Sequence, residues 1–237
     1  MYAILRQIDA GQVLDVATGR GGFIEVLVQN LRSFEQITGV DVLSGGAAAF
    51  TEKFQSQPKI HFYQMDAGHL AFPDACFDTV CISNSLHHLP HPPRVLSEML
   101  RVLRPDGRLL LSEMYRDEQT ETQQTHVLLH DWWAAIDSAQ GVPHFPTFTR
   151  QQLIRFLEDL PLANLKLHDL RDLSDNPLDP SNIADFDRVI DRYVTRSQGL
   201  PNAKDLQEQG EALRQRVHNL GYHDASALLA IGQKLSV

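Results

Sequence analysis

Lysine is scarce in this chain: of 237 residues only five are lysine (Lys53, Lys59, Lys166, Lys204 and Lys234), and they are scattered. With a formal net charge of -9, the chain lacks the clustered cations that draw affinity from phosphate counterion release, so a nucleic-acid substrate is excluded as an expectation. Cysteine is nearly absent too. Cys76 and Cys81 lie in an apolar context without metal-type neighbours in sequence, which reads as a reduced, intracellular thiol pair. No apolar run is long enough to span a bilayer, and the five apolar residues before Arg6 are too few for a signal core. The expectation is a cytoplasmic protein that acts without a membrane or nucleic-acid partner. At 43% hydrophobic residues it can bury one substantial core as a single domain.

Strands and helices alternate along the first half. Short apolar runs at 12–17, 37–41, 60–64, 77–84 and 108–114 read as strands, with amphipathic helices at 21–31, at 47–55 and from Pro92 onward. The alternation is that of a parallel sheet covered by helices. Pro105-Asp106-Gly107 reads as a turn. Residues 10–115 form the expected ligand-binding core, 116–148 a helical insertion and 180–220 a helical cap. Within the cap, 181–198 and 203–220 carry helical patterns. Thr149 is placed to cap a helix ending near Leu160, Leu165 to Leu173 alternates as a strand, and Ala225 to Ile231 closes the chain as another.

The strand Val13-Leu14-Asp15-Val16 breaks into Ala17-Thr18-Gly19-Arg20-Gly21-Gly22 before a helix resumes at Phe23. Glycines in such a turn permit positive φ, and the helix start offers unpaired N–H groups, so the loop is a cradle for a polar ligand. A dinucleotide fingerprint fails here, because Ala17 takes its first glycine position and Glu25 stands three residues after Gly21. A phosphate-binding Gly-Lys-Ser or Gly-Lys-Thr is missing as well. Asp15 would repel a pyrophosphate and suits a cationic or amino-bearing ligand.

Further carboxylates follow in order. Asp41 ends the second strand and Asp66 follows the third, so Asp15, Asp41 and Asp66 stand at the carboxyl ends of successive strands. After them come Phe77-Asp78-Thr79-Val80-Cys81-Ile82-Ser83-Asn84-Ser85-Leu86-His87-His88-Leu89 and Val102-Leu103-Arg104-Pro105-Asp106-Gly107-Arg108-Leu109-Leu110-Leu111. Taken in order over roughly residues 12–115, these segments resemble the motifs of class I S-adenosylmethionine-dependent methyltransferases of the small-molecule type.

The resemblance implies a doubly wound α/β Rossmann-like fold with a seven-stranded sheet whose last strand is antiparallel. It implies S-adenosylmethionine as cofactor and methyl transfer to a small-molecule acceptor. The implied cofactor residues are Asp15, Ala17, Gly19 and Gly21 in the loop and Asp41 with Val42 at the ribose. Asp66 and Ala67 fall at the adenine, and Ser83 and Asn84 under the sulfonium and methionine moiety. Ala17 stands where the family usually has glycine and is tolerable if it keeps a negative φ.

S-adenosylmethionine activates its own methyl, so side chains need mainly align the acceptor. Where a base helps, His88 or His130 would serve near neutral pH. Trp132, Trp133, Phe145 and Phe148 read either as an acceptor pocket or as packing within the insertion. Eleven histidines invite a metal reading, with His87, His88 and His91 on one segment and His126 and His130 four apart on one helix face. No carboxylate or thiol is fixed beside them by spacing, so no metal is assigned. Two rivals stay open: a non-catalytic protein that binds the same cofactor, and a nicotinamide-dependent oxidoreductase on a related fold.

Overall fold

The computed structural model describes residues 1–42 and 44–236. Its helices are α1 (Tyr2–Leu5), α2 (Gly22–Asn30), α3 (Ala47–Phe54), α4 (Pro92–Val102), α5 (Glu121–Ala139), α6 (Arg150–Glu158), α7 (Pro180–Ser197) and α8 (Ala203–Leu220). The strands are β1 (Gln12–Val16), β2 (Gln36–Asp41), β3 (Ile60–Gln64), β4 (Phe77–Ser83), β5 (Leu103–Met114), β6 (Leu162–Leu170) and β7 (Ala227–Lys234). They form one sheet in the order β3-β2-β1-β4-β5-β7-β6. β7 runs antiparallel to both β5 and β6, and the other neighbours are parallel. The doubly wound expectation therefore holds, including the antiparallel final strand.

The period of two along each strand sorts the core onto two faces. Leu14, Val16, Val80, Ile82, Leu109 and Leu111 pack with Val95, Leu96 and Met99 of α4. Their alternates Val13, Ile37, Cys81 and Leu110 pack on the opposite face with Ile24 and Leu27 of α2 and Phe50 of α3. A strand buried on both faces needs uninterrupted apolar residues, which is why β1 and β4 lack polar alternation. A third cluster lies off the sheet: Leu129, Trp132 and Ile136 of α5 meet Ile190 of α7 and Leu206, Leu213 and Val217 of α8. The insertion and the cap are thus one three-helix layer with its own core.

Several expected boundaries shift. β5 begins at Leu103 rather than 108, because the Pro105-Asp106-Gly107 segment is carried within it as an irregularity, with Asp106 at φ +59°. β6 runs 162–170 rather than 165–173, and β7 runs 227–234 rather than 225–231. Thr149 caps α6 as expected, its side chain accepting from the Gln152 N–H in a reciprocal capping box. Cys76 and Cys81 are free thiols, Cys81 buried. Among the described residues no helix is long and apolar enough to cross a membrane.

Candidate active site

The parallel strands turn outward on both sides of β1, and the crevice opens there, at their carboxyl ends. It has a volume of about 930 Å³. Asp15 of β1, Ala17, Thr18 and Gly19 of the glycine loop, Gly22 and Phe23 of α2, and Ser83 at the end of β4 with Asn84 and Ser85 after it form one wall. Met114, His126, Asp169, Arg171, Asp172 and Asp224 line the other side.

The loop is held by carboxylates. Asp15 is buried, accepts from the Thr18 hydroxyl at 2.6 Å, and takes the weak Cys81 thiol donor at 3.5 Å. Burial pushes its carboxyl up to about 7, against those two hydrogen bonds. The Asp41 carboxylate accepts from the Gly19 N–H at 2.9 Å, tying the end of β2 to the loop. Gly19 and Gly21 have φ of +54° and +77°. A Cβ on Gly19 would meet nothing within 4 Å, so the loop presents bare backbone there; on Gly21 it would fall 2.4 Å from the Phe54 ring. The cradle fits a ligand lying on backbone, and Gly21 is required by the packing of α3 beneath it.

Ala17 corrects an expectation. Its φ is +55°, not negative, so its methyl sits in the left-handed region that costs an alanine about 1 kcal/mol or more. Asn84, at φ +45°, is the other strained position on this wall, and its side-chain oxygen accepts from the Met114 N–H at 3.2 Å. Asparagine bears this conformation better than alanine does.

Of the residues expected at the cofactor, Asp15, Ala17, Gly19, Ser83 and Asn84 line the crevice together. Gly21, Asp41, Val42, Asp66 and Ala67 do not line it; they lie beside and below the loop or on the β2 and β3 side. Asp66 is engaged in its own turn, accepting from the Gly68 N–H at 2.8 Å. Ala67 is buried in the sheet core, while Val42 is exposed. The sequence reading missed the far wall: Asp169, Arg171 and Asp172 at the end of β6, and Asp224 before β7. Their signal was positional, since the end of β6 meets the same sheet edge, but that requires knowing that β6 pairs with β7 in this direction. The wall carries Asp15, Asp169, Asp172 and Asp224 beside Arg171, but burial favours neutral Asp15 and Arg150 pairs with Asp169 at 2.7 and 3.0 Å, so the negative charge facing the crevice rests mainly on Asp172 and Asp224.

His88 and His130 do not line the crevice. They meet His87 and His144 in a cluster whose four ring-nitrogen donors lie within 4.8 Å of one another. Burial and the neighbouring imidazoles hold His87 low; His88, the exposed member of the four, is lowered to about 3 by partial desolvation and the same imidazoles, and burial lowers His144. A histidine so held is neutral at pH 7 and is a weak base, which removes the physical ground for giving His88 that role. The histidine in the crevice is His126. Its Nδ1 accepts from the Ala225 N–H at 2.9 Å and sits 2.9 Å from the Tyr222 hydroxyl; burial lowers it to about 4 despite Asp224 nearby.

Three of the four aromatic residues singled out in the insertion are packing elements. Trp132 is buried in the helical layer and donates its Nε1–H to the Leu206 carbonyl at 2.9 Å. Trp133 stacks on Tyr193, Phe148 packs edge-on to Phe156, and Phe145 is exposed.

The model of a family described as "Methyltransferase domain" matches residues 14–111. The ubiquinone/menaquinone biosynthesis C-methyltransferase UbiE of Geobacter sulfurreducens is 34% identical over 112 residues, covering 46% of this chain and 44% of the relative. This chain spans less than half the length of the curated relatives it matches over this region. Among solved structures, the YcgJ protein of a Bacillus species superposes with a TM-score of 0.64 at 18% identity, covering 99% of this chain and 97% of that one. The [4+2]-cyclase SpnF superposes with a TM-score of 0.62 at 20% identity, covering 100% of this chain and 79% of that one. At these identities the two structures show the shared fold.

Proposed function

We propose that this chain, whose residues 14–111 match the model of a methyltransferase domain, transfers a methyl group from S-adenosylmethionine to a small-molecule acceptor. One observation carries the reading: a glycine cradle at the sheet switch point, braced by Asp15 and Asp41, opens into a crevice whose charged lining residues are mostly carboxylates. An acidic, backbone-lined site suits a ligand bearing a sulfonium and an ammonium. The cofactor supplies the electrophilic methyl; the chain's own residues bind, orient and exclude water. Ser83, Asn84 and Ser85 form the floor beside the loop, and His126 with Tyr222 and Asp224 stands on the acceptor side as a neutral hydrogen-bonding group. The failed dinucleotide fingerprint and the acidic wall both weigh against a nicotinamide cofactor.

Calorimetric titration of the protein with S-adenosylmethionine and S-adenosylhomocysteine tests the reading. Saturable binding, weakened by about 1–3 kcal/mol in Asp41→Ala, is the expected result; no binding by the folded wild type overturns it. The second reading is cofactor binding without methyl transfer, since a shared fold does not fix the reaction. Cofactor demethylation in the presence of a panel of hydroxyl, amine and carbon acceptors separates the two.

A further inference from the structure

The four-histidine cluster is assembled from three separate stretches of chain. His87 and His88 lie in a short 3-10 turn after β4, His130 is on α5, and His144 is in the loop that follows α5. His87, His130 and His144 are 3%, 5% and 5% exposed. Burying three imidazoles against one another has no apolar rationale, because each brings two polar nitrogens that must be satisfied.

The outer nitrogens are satisfied by carboxylates. His87 Nδ1 lies 2.9 Å from Glu113 Oε1, and His144 Nδ1 lies 2.7 Å from Asp137 Oδ2. Glu113 also accepts from the Leu86 and Met114 N–H groups, at 2.8 and 3.1 Å, and Asp137 receives the Tyr193 hydroxyl at 3.1 Å. An ionised carboxylate on Nδ1 sets the Nδ1–H tautomer and frees the Nε2 lone pair of each ring for the cluster; burial pushes the Glu113 carboxyl up to about 8, so its ionised form goes with a cation held nearby.

The inner nitrogens are satisfied only in part by one another. His144 Nε2 and His130 Nε2 stand 3.0 Å apart, and His130 Nδ1 is buried with no hydrogen-bond partner, its near carboxylate being Asp131 at 3.8 Å. If His130 donates from Nε2 to His144, its Nδ1 remains a buried acceptor without a donor; if it is the other tautomer, two lone pairs face each other. A cation between them removes the facing lone pairs at Nε2 and sets His130 as the Nδ1–H tautomer, with Asp131 at 3.8 Å the carboxylate toward which that N–H is directed. Tetrahedral zinc at about 2.0–2.1 Å from each nitrogen separates its ligands by roughly 3.3 Å, and the four donors already lie within 4.8 Å of one another.

We propose that His87, His88, His130 and His144 bind one divalent transition-metal ion of the zinc class, with Glu113 and Asp137 as the carboxylates that orient two of the ligands. Imidazole nitrogen is a suitable donor for zinc, copper and nickel, and carboxylate-backed histidine is the arrangement that raises its basicity. The ion ties α5 and the loop after it to the end of β4, three residues beyond Asn84 of the crevice wall. The proposal stands without the cofactor reading, since none of the four histidines lines the crevice.

The experiment is titration of the chelator-treated full chain with Zn²⁺ by calorimetry and with Co²⁺ by visible absorption. One equivalent with tetrahedral cobalt bands is expected, and Zn²⁺ raises the melting temperature of the wild type. His130→Ala and His144→Ala abolish the cobalt bands, Asp137→Asn weakens binding about 10–100-fold, and His91→Ala and His126→Ala retain it. Absence of binding by the wild type overturns the proposal, as does binding that survives both ligand substitutions or is lost with His91 or His126. Should the ligand variants not fold, the histidine-ring ¹⁵N spectrum of the wild type decides the matter: four rings shifting together at Nε2 on adding Zn²⁺ support the site, and any other pattern, or none, overturns it.

Discussion

The two sides of the crevice are built by opposite means. On the glycine-loop side, backbone N–H groups are held by carboxylates from neighbouring strands, as Asp41 holds Gly19. On the insertion side, side chains are held by side chains: His126 meets Tyr222 and Tyr222 meets Asp224, while behind them Glu113 and Asp137 fix imidazoles. Backbone held by a strand end tolerates any outward side chain but demands particular φ values. Side chains held by one another tolerate ordinary backbone but demand particular residues. The first construction suits a site that must keep one cofactor, and the second suits a wall on which acceptor contacts can be changed by single substitutions.

Substitutions that act on one side and spare the other break this comparison or sharpen it. The largest effect is expected from Trp132→Ala, which empties the centre of the three-helix layer and strips the Leu206 carbonyl of its donor. A loss of about 3–5 kcal/mol in chemical denaturation is expected, with cofactor affinity in the surviving folded fraction changed little; an equal loss of affinity would show that the two sides are one construction. Gly21→Ala attacks the other side. A side chain at φ +77°, with its Cβ 2.4 Å from Phe54, is expected to lower stability by about 1–3 kcal/mol and to weaken cofactor binding, read by thermal melts and calorimetry.

The loop side also carries a pH signature. Burial favours the neutral form of Asp15, so its folded pKa, about 7, lies above its unfolded value. The folded state then binds this proton more tightly, and the contribution to stability is present below the unfolded pKa and lost as pH rises toward 7. A cationic ligand reverses the preference, so cofactor affinity is expected to rise between pH 6 and 8. Asp15→Asn should flatten both profiles, stability measured by melts from about pH 4 to 7 and affinity by calorimetry from about pH 6 to 8.

The smallest effect is expected from Ala17→Gly, which relieves a methyl at φ +55° and gains about 0.5–1 kcal/mol, offset in part by the freer unfolded chain. A loss of stability there would mean that the methyl packs usefully in the crevice wall.

Residues 10–115 were legible because their information is local. A buried parallel strand must be apolar along its length, its turn must be glycine-rich, and its helix must carry a 3.6-residue stripe, so β1 to β4 and α2 to α4 declare themselves in order. The loop residues Asp15 and Gly19 were legible for the same reason. Strand ends in the second half were less so: β6 and β7 pair antiparallel with partners distant in sequence, and their register rests on contacts rather than on pattern.

Sequence alone determined the resemblance carried by residues 12–115, the order of the strands' carboxylates and the acidic character of the whole. Tertiary structure alone decided that Ala17 bears positive φ, that His126 rather than His88 or His130 faces the crevice, and that Asp169, Arg171, Asp172 and Asp224 complete its wall. It also decided that Glu113 and Asp137 stand behind His87 and His144. The physical reason is separation along the chain. Local propensity and periodicity act over a few residues, whereas these groups come from different strands, helices and loops and meet only when the helical layer closes over the sheet edge.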